Sequence, residues 1–425
     1  MIYRLLRLNP DLPEDRNSYY LVIEVFWACI LGAAASFNAT FALRLGASNE
    51  AIGLLSSIPA LLAMLIAMPA GQFLQSRRNA KPWVLGSLLI HRAGFLLIAA
   101  MPWIKIPGVN PGLLVVIALI LIGAPAHFFN VGFTPLLADV IPESRRAAIF
   151  TARNVVNGAT LSLFVFLYGQ WLEAGWAPFP DNYQIMYAFG FVFAMLSQFF
   201  LHKVGVPQKA VLEVPAAKNT PQKQWAALRE MMRSQPAFRR LTFNTILHAL
   251  GLWCVGPLYI IYYVRELGAS DGWVGLQGTI ASLTAILGWM IWRPIVVRYG
   301  EPRILRYVIV LLGLIPLMIG LLPNLTLILF VIALNGLLAP AVNLSHFNIL
   351  LKVMPPDQRP VFTALYTTLV NMGAFLCPMI GVLVADWIGL APALIGFGVL
   401  SILGSTSFWW QRVLPDRPAV VDPVS

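Results

Sequence analysis

Twelve long apolar segments constrain what this chain can fold into. A helix needs about 20 mostly apolar residues to cross the roughly 30 Å hydrocarbon core of a bilayer. Such segments occupy 19–43, 51–74, 83–103, 112–136, 147–171, 184–201, 241–264, 273–297, 304–322, 325–350, 361–385 and 389–410. They are too long for the strands of a transmembrane barrel and lack the alternation that such strands show. The sequence therefore predicts an all-α membrane protein with twelve transmembrane helices.

The composition excludes the other common classes of protein. Of the 425 residues 59% are hydrophobic and only 11% are charged, whereas about 25% of a soluble domain is charged. Three cysteines cannot form a disulfide framework for a chain of this length, and the apolar content excludes disorder. Arg4 and Arg7 precede the first apolar segment. That segment is longer than the apolar part of a cleaved signal peptide, so we expect it to remain as the first span.

The positive charges indicate an orientation in the membrane. If the N-terminus is inside, the outer connections hold only Arg44, Lys105 and Arg265 of the 29 Lys and Arg residues. Arg92 lies deep in a span, and the others fall on the inner side, as the positive-inside rule requires. We therefore expect a cell-membrane protein with both termini in the cytoplasm. The net charge of +11 is attributed to orientation and anionic lipid contact, and nucleic acid is not an expected partner.

Two short motifs repeat at corresponding places in the chain. Leu-Gly-Ala-Ser at 45–48 recurs at 267–270, and Phe-Thr-Ala at 150–152 recurs at 362–364. Each motif occurs once in the first six spans and again at the corresponding position in the last six. They predict two repeats of six helices each.

The longest connection separates the two predicted repeats. It carries an amphipathic stretch at 222–234, which is either a helix on the inner membrane surface or part of a disordered linker. The predicted divisions are a cytoplasmic segment 1–18, a bundle 19–203, a cytoplasmic loop 204–240, a bundle 241–412 and a cytoplasmic tail 413–425.

Twelve spans in two repeated halves joined by a basic inner loop resemble the major facilitator superfamily of secondary transporters. The resemblance implies gating loops at the inner ends of the spans. The candidate gating residues are Gly71, Arg77, Arg78, Asp139, Arg146, Arg298 and Gly300. Arg78 stands where the family has a second Gly, so Arg77 and Arg78 keep only the basic character of that loop. Gln75 stands where the family usually has an Asp, and the Arg that many drug exporters carry in the fourth span is absent.

Few ionisable residues lie inside the spans. They are Glu24 in the first span and Arg92, with His91, in the third. Because such a residue costs at least about 2.5–3.5 kcal/mol at mid-membrane, Glu24 and Arg92 are candidates for proton coupling. We expect them to form an ion pair or to share a water-filled vestibule. Alternatively, Glu24 is hydrated near the inner surface and Arg92 extends toward it.

Polar side chains recur on the first, fourth, seventh and tenth spans, which line the central cavity in the resembled family. A polar stripe facing lipid would be unsatisfied, so these faces should point inward. Alternatively, the same side chains form hydrogen bonds between helices and hold the bundle together. The predicted cavity residues are Trp27, Asn38, His127, Asn130, His248, Asn335, Asn343 and His346.

These features predict a transporter that moves a small solute through the lipid bilayer by alternating access. A proton or ion gradient, or the gradient of the solute itself, would drive it. The chain has no phosphate-binding loop or hydrolase motif, and no spacing indicates a metal site. We therefore expect no enzyme activity, no cofactor and no metal, and we expect a monomer. The alternative is a non-transporting membrane protein, either a sensor or a lipid-handling enzyme, on a duplicated helical bundle.

Overall fold

The computed structural model describes residues 11–104, 106–206, 233–355 and 358–414. Within these ranges the regular secondary structure is entirely helical. Twelve of the helices are long and apolar enough to cross a membrane, so the predicted fold class is confirmed. The predicted surface helix at 222–234 lies almost entirely outside the described residues, as does most of the predicted tail.

The helices follow the predicted order. Helix α1 has two segments, Pro13–Ala35 and Asn38–Arg44, separated by a short turn. A π-helical turn, Tyr262–Glu266, extends α7. The other helices are α2 (Asn49–Gln75), α3 (Lys81–Ala100), α4 (Pro111–Val140), α5 (Glu143–Glu173), α6 (Asp181–Lys203), α7 (Pro236–Ile261), α8 (Asp271–Tyr299), α9 (Glu301–Leu321), α10 (Leu325–Val353), α11 (Arg359–Ile388) and α12 (Leu390–Trp410).

The repeated Leu-Gly-Ala-Ser motif forms the same turn before α2 and before α8. Gly46 and Gly268 both have a positive φ, +89° and +65°, which glycine adopts without the steric cost other residues incur. Ser48 Oγ then accepts a hydrogen bond from the amide of Ala51 at 3.3 Å. Ser270 Oγ accepts one from the amide of Trp273 at 3.1 Å. Each serine therefore caps the helix that follows it.

The chain forms two compact units. One contains Met1–Pro215 with Ser270–Thr279, and the other contains Ala216–Ala269 with Ile280–Ser425. In the first unit α1 packs against α5 and α6, and α3 packs against α4 and α6. In the second unit α7 packs against α11 and α12, and α9 packs against α10 and α12. These pairs correspond when six is added to each helix number, so the internal repeat extends to helix packing.

Large apolar side chains are exposed on the long helices of both units. Leu65 and Leu121 are 61% and 66% exposed, and Met290 and Trp387 are 70% and 88% exposed. Such surfaces are unfavourable in water but suit the hydrocarbon core of a bilayer. Length, composition and surface therefore all identify a multi-pass membrane protein.

Candidate functional site

The predicted polar face of α1 packs against α6. The indole of Trp27 stacks on the ring of Phe193, with centroids 5.4 Å apart. Asn38 lies beyond the turn that divides α1, and its Oδ1 accepts a hydrogen bond from the hydroxyl of Tyr187 at 2.9 Å. Both predicted cavity residues of α1 thus contact a neighbouring helix. This is the alternative interpretation, in which polar side chains hold the bundle together.

A glycine lets α1 and α6 come close together. A Cβ atom added to Gly190 of α6 would lie 3.2 Å from the Cα of Leu31 in α1. The close backbones place polar residues toward the C-terminal end of α6 within hydrogen-bonding distance of α1. This packing positions the partners of Glu24.

Glu24 is a buried carboxylate with a direct cationic partner. Its side chain is held by Arg153 of α5, whose Nη1 lies 2.8 Å from Oε1. The hydroxyl of Ser197 in α6 donates to Oε2 at 2.9 Å, and Arg153 also donates to the carbonyl of Leu21. Glu24 as a whole is 3% exposed. The ion pair therefore joins α1 to α5, and the serine joins α1 to α6.

Arg92 is buried beside this pair and bonds to α6. Its Nη2 donates to Ser197 Oγ at 2.7 Å, and its Nη1 donates to Gln198 Oε1 at 2.9 Å and to the carbonyl of Ala194 at 2.7 Å. Of the two predicted arrangements, the direct ion pair between Glu24 and Arg92 is not formed, because Arg153 occupies that position, whereas both residues line one cavity. Ser197 instead connects the two residues, accepting from Arg92 and donating to Glu24.

Glu24, Arg92 and Arg153 line one cavity inside the first unit. The cavity has a volume of about 240 Å³, below the roughly 300–1,000 Å³ of sites for drug-sized ligands. Helices α1, α3, α4 and α5 form its walls. Its other polar lining residues are His91 and Asn157, and its larger apolar ones are Val25, Leu31, Leu88, Phe95, Phe129 and Phe133.

The lining of this cavity carries more positive than negative charge. Among the described residues that line it, Glu24 is the one acid, against Arg92 and Arg153. His91 Nδ1 lies 2.9 Å from the carbonyl of Ile122. A carbonyl only accepts, so this nitrogen carries a proton and Nε2 remains as the second polar atom of the ring. The arrangement suits a small polar or anionic group held against apolar walls.

Comparison with known proteins agrees with this architecture. Residues 241–424 match the sequence model of the Major Facilitator Superfamily. A bacterial homologue of the human lysosomal transporter Spinster, solved inward-facing and unoccupied, is 12% identical with a TM-score of 0.66, over 95% of this chain and 97% of that one. A mutant of the nucleoside transporter NupG is 13% identical with a TM-score of 0.67, over 93% and 100%.

Residues 241–424 carry a sequence domain of the Major Facilitator Superfamily. At these identities the solved structures show a shared fold, which extends across both halves of the chain. No curated protein matches the sequence. The predicted resemblance to the superfamily is confirmed by the domain match in the second half of the chain and by the fold shared with solved transporters.

His127 and Asn130 of α4, which the sequence predicted to line a central cavity, are not part of the lining of the 240 Å³ cavity. His127 is half-buried and Asn130 is exposed. Phe129 and Phe133 of the same helix do line the cavity. The face of α4 that meets Glu24 and Arg153 is therefore aromatic.

His248 of α7 is a buried hydrogen-bonding residue in the second unit. Its Nδ1 lies 2.7 Å from Ser405 Oγ and 3.1 Å from Ser401 Oγ, both in α12. The side chain therefore ties α7 to α12. This contact is of the kind expected if polar residues hold the bundle together.

His346 of α10 connects three helices of the second unit. Its Nε2 lies 2.9 Å from Thr245 Oγ1 in α7 and 3.3 Å from the hydroxyl of Tyr366 in α11. On the same helix Asn335 is half-buried and Asn343 is exposed. Across the part of the chain that the structure describes, no three His, Cys, Asp or Glu side chains group as metal ligands would.

The predicted gating residues that follow α2 lie close to the end of that helix. Arg77 and Arg78 are exposed after α2, and the guanidinium of Arg77 lies 4.4 Å from the centroid of the Phe73 ring. Gly71 is not required by packing, since a Cβ there would meet nothing within 4 Å.

The remaining gating candidates are at three other helix ends. Asp139 is exposed near the end of α4, and Arg146 Nε donates to the carbonyl of Ile141 at 3.2 Å. Arg298 is exposed at the end of α8. Gly300 has a φ of +84° between α8 and α9, where a left-handed conformation favours glycine.

Sequence reasoning missed three residues of the Glu24 cluster. Arg153, Ser197 and Gln198 were not among the predicted site residues. The signal for Arg153 was its position inside the fifth apolar segment, 147–171, where a charged side chain requires a partner. Assigning it to the cytoplasmic end of the helix concealed that requirement.

Proposed function

We propose that this protein moves a small solute across the cell membrane by alternating access, with proton movement coupled through Glu24. Both termini are in the cytoplasm. Glu24, held between Arg153 and Ser197 on the wall of a cavity, carries the proposal. We also propose that the transporter acts as a monomer.

The coupling follows from the charge balance around Glu24. A buried carboxylate is stable when it is paired and hydrogen-bonded, as it is with Arg153 and Ser197. Protonation removes its charge and releases Arg153 to bind another group, so the proton and the solute affect one another's affinity. The neighbouring charged or titratable groups are Arg153 on α5 and Arg92 with His91 on α3, while α6 contributes Ser197 and Gln198.

Reconstitution into liposomes tests this function. Purified full-length protein is exposed to an imposed pH gradient, and a panel of small solutes is screened for flux. For a solute that is transported, Glu24→Gln should abolish accumulation driven by the gradient. The same variant should retain exchange of labelled for unlabelled solute, since Gln resembles the protonated carboxyl. Glu266→Gln, which alters an exposed acid, should leave both activities unchanged.

A different result would contradict each part of the proposal. Accumulation that persists in Glu24→Gln contradicts proton coupling through this residue. Absence of gradient-independent exchange in the wild-type protein, for every solute tested, contradicts transport by alternating access. Thermal unfolding of the same samples shows whether a variant has lost its function or its fold.

A further inference from the structure

We infer that the cavity beside Glu24 binds a small monocarboxylate, with Arg153 as the residue that contacts its carboxylate group. The inference rests on the proposed transport function, in which this cavity handles the solute. It extends that function by naming the chemical class of the solute.

The charge of the cavity favours a monoanion. Arg92 and Arg153 carry two positive charges, and Glu24 carries one negative charge. An uncompensated charge is costly when buried, so binding one negative charge neutralises the lining. A neutral solute leaves the excess in place, and protonation of Glu24, which releases Arg153, adds to the excess and strengthens the preference for an anion.

The hydrogen bonds distinguish the two arginines. Arg92 uses Nη1 and Nη2 to bind Ala194, Gln198 and Ser197 of α6, so it holds the structure of the site. Arg153 binds a carboxylate already, with Nη1 2.8 Å from Glu24 Oε1. A carboxylate from a solute can take that position with the same geometry. Arg153 is therefore the binding residue, and Glu24 competes with the solute for it.

The apolar wall indicates the rest of the solute. Phe95, Phe129 and Phe133 line the cavity, and the guanidinium of Arg153 lies 5.5 Å from the centroid of the Phe133 ring. A carboxylate bound to Arg153 would place its attached carbon skeleton beside these rings. The site thus fits a carboxylate on a compact apolar or aromatic body, for which benzoate is a suitable probe.

Calorimetric titration of the full-length protein in lipid nanodiscs tests the inference. Benzoate is compared with benzamide, which has a similar shape and no charge. We expect benzoate to bind at least about tenfold more tightly, since charge-assisted hydrogen bonds are the stronger ones. Glu24→Gln should strengthen benzoate binding because it removes the competing carboxylate. Arg153→Gln should abolish the binding, and Arg239→Gln, an exposed arginine of the second unit, should leave it unchanged.

Several results would overturn the inference. These are equal binding of benzoate and benzamide, weaker benzoate binding by Glu24→Gln, or unchanged binding by Arg153→Gln. Failure of Glu24→Gln to bind benzoate at all would do the same. If Arg153→Gln does not fold, Arg153→Lys serves instead: it should bind benzoate more weakly but still prefer it to benzamide, because the charge remains without the planar fork.

Binding and transport can fail separately. The inference predicts that Glu24→Gln gains affinity for benzoate, whereas the proposed function predicts that the same variant loses gradient-driven uptake. Gain of affinity with intact uptake would contradict proton coupling alone. Loss of uptake without a preference for benzoate would contradict the solute class alone.

Discussion

At the residue scale, the buried charges of this protein depend on partners from other helices. Arg92 on α3 donates hydrogen bonds to a backbone carbonyl, a side-chain amide and a hydroxyl group of α6. Such a network is favourable when each donor has an acceptor, and removing one member leaves others unsatisfied. Arg92 therefore supports the position of Ser197, and through Ser197 that of Glu24.

Replacing Arg92 by lysine should destabilise the protein while conserving its charge. The ammonium group cannot reproduce the forked contacts with Ala194, Gln198 and Ser197. We expect a loss of about 1–3 kcal/mol of unfolding free energy from the groups left unsatisfied. Arg78→Lys is the matched control, since Arg78 is exposed. Thermal unfolding in detergent measures both, and equal midpoints for the two variants would contradict the structural role of Arg92.

At the scale of helices, small residues determine where α7 and α12 meet. A Cβ added to Gly251 of α7 would lie 2.4 Å from the carbonyl of Phe397, and one added to Gly404 of α12 would lie 2.3 Å from the carbonyl of Leu247. The close approach brings His248 within hydrogen-bonding distance of the serines of α12. Glycine at the crossing and the buried histidine thus act on the same contact.

Gly251→Ala should separate α7 from α12 and lower stability. Overpacking of this kind costs about 1–3 kcal/mol. Gly256→Ala on the same helix is the control, because a Cβ there meets nothing within 4 Å. Since alanine is favoured over glycine in a helix interior by about 1 kcal/mol, the control should be unchanged or slightly more stable. The thermal unfolding midpoints of the two variants test this prediction. Similar midpoints would mean that the crossing tolerates a methyl group.

At the scale of the whole molecule, two units with corresponding helix pairs come from one repeated pattern. The pairs α1–α6 and α3–α4 have the counterparts α7–α12 and α9–α10. The predicted orientation assigns each connection to the inner or the outer side of the membrane, because successive spans cross it in opposite directions. Residue 79, between α2 and α3, should therefore lie inside, and residue 174, after α5, should lie outside.

Cysteine labelling checks this orientation. In a variant without Cys29, Cys254 and Cys377, single cysteines are introduced by Asn79→Cys and Ala174→Cys, both at exposed positions. In right-side-out vesicles a membrane-impermeant maleimide should label position 174 and leave position 79 unmodified until the membrane is opened. The reverse pattern would show that both termini are outside. Labelling of both positions in sealed vesicles would contradict the number of spans between them.

The sequence by itself determined the number of helices, their order and the repeated turns. Hydropathy along a span is a local property, so the twelve apolar segments match the twelve helices with only small differences at the ends. Turn chemistry is also local: Gly46 and Gly268 adopt positive φ, and Ser48 and Ser270 cap the helices that follow.

Only the tertiary structure decided which charged residues meet. The sequence placed Glu24, Trp27 and Asn38 in the first span but did not show which helices they would contact. The partner of Glu24 is Arg153, more than a hundred positions further along the chain, and the two meet because α1 packs against α5. Contacts of this kind depend on how helices cross and rotate against one another, which the pattern along a single helix does not specify.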